Sequence, residues 1–445
     1  MSRIRAAVAT SALLAACASL LAVAPPAQAA ESPGFHIQDG RLLDANDKDF
    51  VLRGVNHAHT WYPDRTDQAL KDIKAKGANS VRVVLSTGDQ WTKNDAADVT
   101  RVVDQCKKNR LICVLEAHDT TGYGEASAAA PLSKAVDYWL DVKGALVGQE
   151  KYVLVNIGNE PYGNSNYAAW TGDTKTAIGR LRAGGLDHTL MVDAPNWGQD
   201  WSFTMRDNAA GVFAADPDKN TLFDIHMYGV YDTPAEVSDY LNRFKAAKLP
   251  VVVGEFGDMH SDGNPDEDAI MATAQSLGIG YMGWSWSGNG GGVEYLDLVR
   301  NFDAAQLSGW GKRLFDGANG IKATAKEASV FAGSDGGGGS GACAVSYRLS
   351  DWGTSFNAEI TVRNSSARNV DDWGLDFAFP AQQKINSVWN ARATQDGARV
   401  HVTPESWTKS IPAGGSVSFG LNGSSTGNNA VPDAFTLNGK TCTTA

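Results

Sequence analysis

Eight short apolar runs, each trailed by a stretch with helical periodicity, constrain the fold of this chain more than any other feature. They are VLRGVN from Val51, SVRVVL from Ser80, LICVLEAH from Leu111, YVLVNIGNE from Tyr152, TLMVDA from Thr189, LFDIHMY from Leu222, VVVGEFG from Val251 and GYMGWSW from Gly280, with starts 29 to 41 residues apart. Their nearly continuous apolar character is that of strands buried on both faces. Between them lie segments such as RTDQALKDIKAKG, ending in Gly77, and TPAEVSDYLNRFKAAK, which opens with a Thr cap and an early Glu. Eight strand-plus-helix units in about 300 residues predict an α/β chain folded as a (β/α)8 TIM barrel. A doubly wound sheet would need a glycine-rich phosphate turn after one run, and none is present.

The repetition stops at residues 333–341, GSDGGGGSG, a linker with nothing to pack. Beyond it the segments AVSYRL, NAEITVRN, WGLDFAFP, VHVTPES and SVSFGLNG alternate in polarity and are separated by Gly, Asn, Ser and Pro, which predicts a small antiparallel β-sandwich. At the other end, residues 1–30 read as a signal peptide: Arg3 and Arg5, an apolar stretch from Ala6 to Ala24, then Ala27-Gln28-Ala29. The expected organisation is a signal peptide over 1–30, a barrel over 31–332, a linker over 333–341 and a sandwich over 342–445, in a secreted, monomeric protein.

Charge narrows the partners. The 445 residues carry a net charge of -11, which argues against nucleic acid or an anionic membrane surface. No later segment approaches the ~20 apolar residues of a membrane span. The tail from residue 343 has 8 basic and 8 acidic side chains, so the acidity belongs to the barrel. Thirteen tryptophans and 12 tyrosines offer flat faces of the kind that sugar rings settle on.

In a barrel of this type, functional groups collect where strands end. Arg82 lies inside the second run, His118 closes the third, Asn159-Glu160 the fourth, His226 and Tyr228 the sixth, Glu255 the seventh, and Trp284 and Trp286 the eighth. Glu160 and Glu255 end strands on roughly opposite sides and can face each other across the mouth. Paired carboxyl groups suit glycosidic cleavage, one donating a proton to the leaving oxygen and the other staying ionised. Arg82 and the Tyr228 hydroxyl can hold the ionised one, and Asn159 can bond a sugar hydroxyl. Period-two alternation puts Trp284 and Trp286 on one face, with Trp286 expected as the apolar floor under a sugar and Trp284 deeper in the core.

This set resembles glycoside hydrolase family 5. The segments RGVNHAHTWY, EAHDTTGYGE, NIGNEPYGN and GWSWSGNGGG are similar to those of its secreted bacterial β-mannanases. The resemblance implies Glu160 as acid/base and Glu255 as nucleophile, Asn159 on the sugar 2-hydroxyl, Arg82 and Tyr228 on the nucleophile, and His118, His226 and Trp286 lining the central subsite. Trp61 and Trp197 would line neighbouring subsites. It implies a retaining cleavage of internal β-1,4 bonds in mannan, glucomannan and galactomannan without a required cofactor; an endoglucanase on the same barrel is the alternative. The tail resembles family 2 carbohydrate-binding modules, with Trp352, Trp389 and Trp407 as the residues that would lie on a cellulose surface and Trp373 buried.

After the leader, four cysteines remain in an oxidising compartment. Of three possible pairings, Cys106 with Cys113 and Cys343 with Cys442 is expected from their positions; the spacings do not suit zinc. The acidic loop after Glu255 offers Asp266, Glu267 and Asp268 as ligands for a structural calcium.

Overall fold

The computed structural model describes residues 34–331, 343–366, 369–427, 429–432 and 434–444. The segments expected as signal peptide and glycine linker both lie outside the described residues.

The eight apolar runs form eight parallel strands: β1 (Arg53–His57), β2 (Ser80–Leu85), β3 (Ile112–Ala117), β4 (Val153–Asn156), β5 (Leu190–Asp193), β6 (Thr221–Met227), β7 (Val251–Phe256) and β8 (Gly280–Gly283). They pair in sequence order and close, with Tyr281 of β8 beside Arg53 of β1 and Val253 of β7. Every residue of these strands is buried. Each is followed by a helix: α1 (Thr66–Ala75), α2 (Ala96–Lys108), α3 (Leu132–Asp141), α4 (Trp170–Ala183), α5 (Thr204–Ala215), α6 (Pro234–Ala246), α7 (Glu267–Leu277) and α8 (Gly309–Asp316). The helices begin where the chain supplies caps. Asp95 accepts from the Asp98 N–H, Thr233 from Glu236 with Pro234 behind it, and Asp266 from Ala269.

Alternation within each strand divides two cores. Cys113, Leu115 and Ala117 of β3 pack outward against the helices, while Ile112 and Val114 point inward with Leu154, Met191, Leu222, Val252 and Met282. Phe35, Leu42 and Phe50 belong to that inner cluster; Leu42 sits in a short hairpin (His36–Gln38 with Arg41–Leu43) that the apolar pattern did not mark. One step further along the same inward rows the residues become Glu116, Asn156, Asp193 and Asp224. The barrel interior therefore changes from apolar to ionisable within two residues, and that change sets the depth of the site.

The tail is a sandwich of two five-stranded sheets, antiparallel except where Cys343–Asp351 meets Thr443–Thr444 in parallel. Phe356, Trp373, Phe377, Phe419 and Phe435 fill its core, and Cys343 is bonded to Cys442. The expected Cys106–Cys113 bond is corrected: both are free, buried thiols with Sγ atoms 2.8 Å apart, against about 2.0 Å in a disulfide. The turn from α2 into β3 brings them face to face. No described helix is long and apolar enough to cross a membrane.

Candidate active site

Arg82 stands at the centre of the polar layer, fully buried on β2. Its guanidinium donates to Glu255 Oε1 (2.7 Å), Asn56 Oδ1 (3.0 Å), Asn156 Oδ1 (2.9 Å), Asn159 Oδ1 (2.6 Å) and Asp193 Oδ2 (3.2 Å), and lies 3.7 Å from Glu116. Five strands are tied to one fork, which only a planar guanidinium can manage. Burial opposes its charge, but Glu116, Glu255, Asp193 and Asp224 together hold its proton above the usual range.

Glu255 is part of β7, with the Tyr228 hydroxyl donating to Oε2 at 3.0 Å. Glu160 lies four residues past the end of β4 in a left-handed conformation (φ 40°), its N–H donated to Asp193 Oδ2 at 3.1 Å. A non-glycine residue there is strained and must be held by its surroundings. Its Oε1 is 2.7 Å from His226 Nδ1, and no hydrogen bond reaches its other oxygen among the described residues. One oxygen of Glu160 and one of Glu255 fall within 4.8 Å of each other and of His226.

Burial pushes His226 down, but Glu255, Asp224 and Glu160 raise it well above an ordinary histidine, so it carries a proton. Burial raises Glu160 as well, yet the bond and charge of His226 outweigh it and hold the group below its usual value. Glu255 stays above its usual value because of burial, which the charges of His226 and Arg82 only partly offset. This order runs opposite to the expected roles. Their hydrogen bonds differ: both Glu255 oxygens accept from N–H or O–H groups, an arrangement that favours an anion, whereas one Glu160 oxygen accepts none among the described residues. Beneath them, burial and the neighbouring Asp224 push Asp193 up to about 8.

Aromatic rings line the cleft. His118, at the end of β3 with Nδ1 2.9 Å from Glu116, stacks on Trp284 (5.8 Å, 19°) and meets Trp61 edge-on (5.1 Å). Trp91 closes the same group. Trp197 is half-buried on the other side, where a cavity of about 300 Å³ also touches Glu160, Tyr228 and His260. Trp286 is a correction. It is fully buried, edge-on to Phe315, and its half-buried neighbour Trp284 is the ring at the site. β8 ends at Gly283, so strand alternation does not extend to these two residues.

The acidic loop makes other contacts. Asp266 caps α7, Glu267 and Asp268 face Arg313, and none of the three belongs to a metal-ligating cluster among the described residues. The two clusters that do gather ligand atoms, Glu160–His226–Glu255 and Asp193–Asp224–His226, adjoin the Arg82 guanidinium, whose charge repels a cation. Glu116, Asp193, Asp224, Asn56 and Asn156 were not singled out from the sequence. Their signal was an acid or amide at an alternate position inside an otherwise apolar run.

On the tail, Trp352, Trp389 and Trp407 are 61%, 45% and 71% exposed, and Trp373 is buried. The Trp389 indole lies against Gly420 on the neighbouring strand; a Cβ there would come within 2.0 Å of the ring. Gly420→Val is therefore expected to tip the indole off the sheet. Pull-down on microcrystalline cellulose should weaken severalfold while the sandwich stays folded by circular dichroism; undiminished retention would mean that this orientation is irrelevant to binding.

Residues 43–290 match the family model "Cellulase (glycosyl hydrolase family 5)" and residues 343–442 match "Cellulose binding domain". A mannan endo-1,4-beta-mannosidase of Streptomyces lividans is 61% identical over 351 residues, covering 76% of this chain and 91% of that protein. One from Cellvibrio japonicus is 47% identical, covering 78% of each. The solved mannotriose complex of Thermomonospora fusca β-mannanase is 60% identical with a TM-score of 0.65, covering 67% of this chain and 99% of that one. With the paired glutamates, the Arg82 fork and the barrel in agreement, the chain belongs to glycosyl hydrolase family 5 and carries a cellulose binding domain after its barrel.

Proposed function

We propose that the protein is a secreted, retaining endo-β-1,4-mannanase, acting on mannan, glucomannan and galactomannan and held near cellulose by its tail. The observation that carries the mechanism is the approach of Glu160 and Glu255 to within 4.8 Å, with distinct partners on each. Retaining enzymes need carboxyl groups about 5 to 5.5 Å apart, whereas inverting ones leave roughly 6.5 to 9.5 Å for a water. Glu160 gives its proton to the glycosidic oxygen as Glu255 attacks the anomeric carbon from the opposite face. Water, deprotonated by the same Glu160, then releases the sugar. Arg82 and Tyr228 hold the attacking oxygens in line, and Asn159, fixed by Arg82 and by its own bond to Thr121 Oγ1 (2.9 Å), bonds the 2-hydroxyl. Proton, nucleophile and water suffice, so the reaction needs no cofactor.

Preference for mannan is supported by the activity named for the relatives; the leader-like residues 1–30 support export, and the three exposed tail tryptophans support docking on a flat polysaccharide. Assay of the purified protein on mannan, glucomannan and carboxymethylcellulose tests the reading. Reducing ends should appear from the first two. Release from carboxymethylcellulose alone would replace it with an endoglucanase.

A further inference from the structure

Resting on the reading of Glu160 as proton donor, we infer that Trp201 forms a distinct sugar-binding subsite for the leaving-group end of the mannan chain, outboard of Trp197. A donor protonates the oxygen of the sugar about to depart, so that sugar sits on the Glu160 side of the cleft. Trp61, His118 and Trp284 are clustered together elsewhere in the cleft. The cavity beside Glu160 is walled by Asn164, Trp197, Trp201, His260 and Asp262, residues of the loops after β4, β5 and β7.

The two indoles of this wall are fixed in place. Trp197 packs against Gly122, where an added Cβ would come within 2.3 Å of the ring, and its N–H reaches Glu125 Oε2 at 3.2 Å. The same Glu125 oxygen accepts the backbone N–H of Asn164, and the Asn164 side-chain oxygen accepts the Trp201 N–H at 2.7 Å. Tyr167 meets Trp201 edge-on at 5.5 Å. Glu125 and Asn164 thus tie both rings into one hydrogen-bonded chain.

Trp201 is nevertheless 46% exposed, more open than the half-buried Trp197. An exposed indole packing loosely would need no explanation. One whose N–H is already satisfied and whose edge is braced presents a ring face of set orientation to the cavity. Such a face can stack on the C–H face of a pyranose with little further loss of side-chain freedom. The ligand class is a neutral β-linked hexopyranose chain, entered by its reducing-end portion.

Comparison of two substrates tests this in the full chain. Mannohexaose fills the leaving-group side with sugar; an aryl β-mannobioside with an activated phenol leaves it empty of sugar. Trp201→Ala should lower the ratio of kcat/KM on mannohexaose to kcat/KM on the aryl substrate about tenfold. Trp201→Phe, which keeps a ring but no N–H, should recover part of the ratio, and Asn164→Ala should reduce it by a smaller factor. Circular dichroism checks folding. Equal losses on both substrates, an unchanged ratio, or a loss confined to insoluble mannan would overturn the subsite while leaving the proposed function standing. Failure of the unaltered enzyme to cleave mannohexaose would overturn that function, and the subsite with it.

Discussion

Glu160→Gln is expected to lower kcat/KM on mannan by about 10³-fold, within the range that general acid catalysis contributes, while retaining much of the kcat/KM on an aryl β-mannobioside, whose steady-state turnover falls because breakdown of the intermediate is slowed. The glutamine keeps the volume and the contact with His226 Nδ1 but has no proton to give. A sugar alkoxide cannot leave unprotonated; a nitrophenolate can. The signature is a large fall on one substrate beside a small one on the other. With a fast leaving group, glycosyl-enzyme formation outruns its breakdown, because the second step still needs Glu160 as base. A burst of phenol followed by a slow steady state should therefore be visible in rapid-mixing kinetics. Matching losses on both substrates with no burst would remove Glu160 from the acid/base role.

Glu255→Gln should abolish activity on both substrates, by a factor on the order of 10⁵ or more, comparable to nucleophile removal in other covalent hydrolases. No leaving group rescues a missing nucleophile. The variant also unbalances its surroundings: Arg82 Nη1 loses a carboxylate at 2.7 Å, and the buried cation turns to Glu116, Asp193 and the amides that remain. Thermal unfolding should separate this effect from the chemistry, since a variant that melts near the unaltered protein and yet lacks activity has lost the nucleophile alone. Rescue of the corresponding Glu255→Ala variant by azide, with inversion at the anomeric carbon, would strengthen the assignment. Residual turnover on the aryl substrate within tenfold of the original would refute it.

The barrel was legible because its strands are short, apolar on both faces and spaced at strand-plus-helix intervals; all eight runs became the eight barrel strands. Glu160 and Glu255 stood out as candidates for a related reason, since a glutamate closing an apolar run has no packing role to play, and the fold brings their oxygens within 4.8 Å. The sandwich was read less fully. Its strands Lys384–Trp389 and Ala391–Asp396 bury few side chains and carry polar residues on most positions, so alternation is faint there. Trp286 was misplaced because a period of two holds only inside a strand, and β8 is four residues long. Cys106 and Cys113 were paired from chain position, which shows proximity but not bonding. Asp193 and Asp224 stayed unread because each, taken alone, looks like a break in an apolar run. Their meaning lies in facing the same Arg82 and His226, and that convergence is a property of the closed barrel.

In the proposed mechanism Glu255 attacks carbon directly, and proton NMR of the first products from mannohexaose is the most direct test. Double displacement predicts the β-anomer as the initial product, with the α-anomer growing in only at the rate of mutarotation. An α-anomer present from the first spectrum would mean that water attacks in a single step, and Glu255 could not then be the nucleophile.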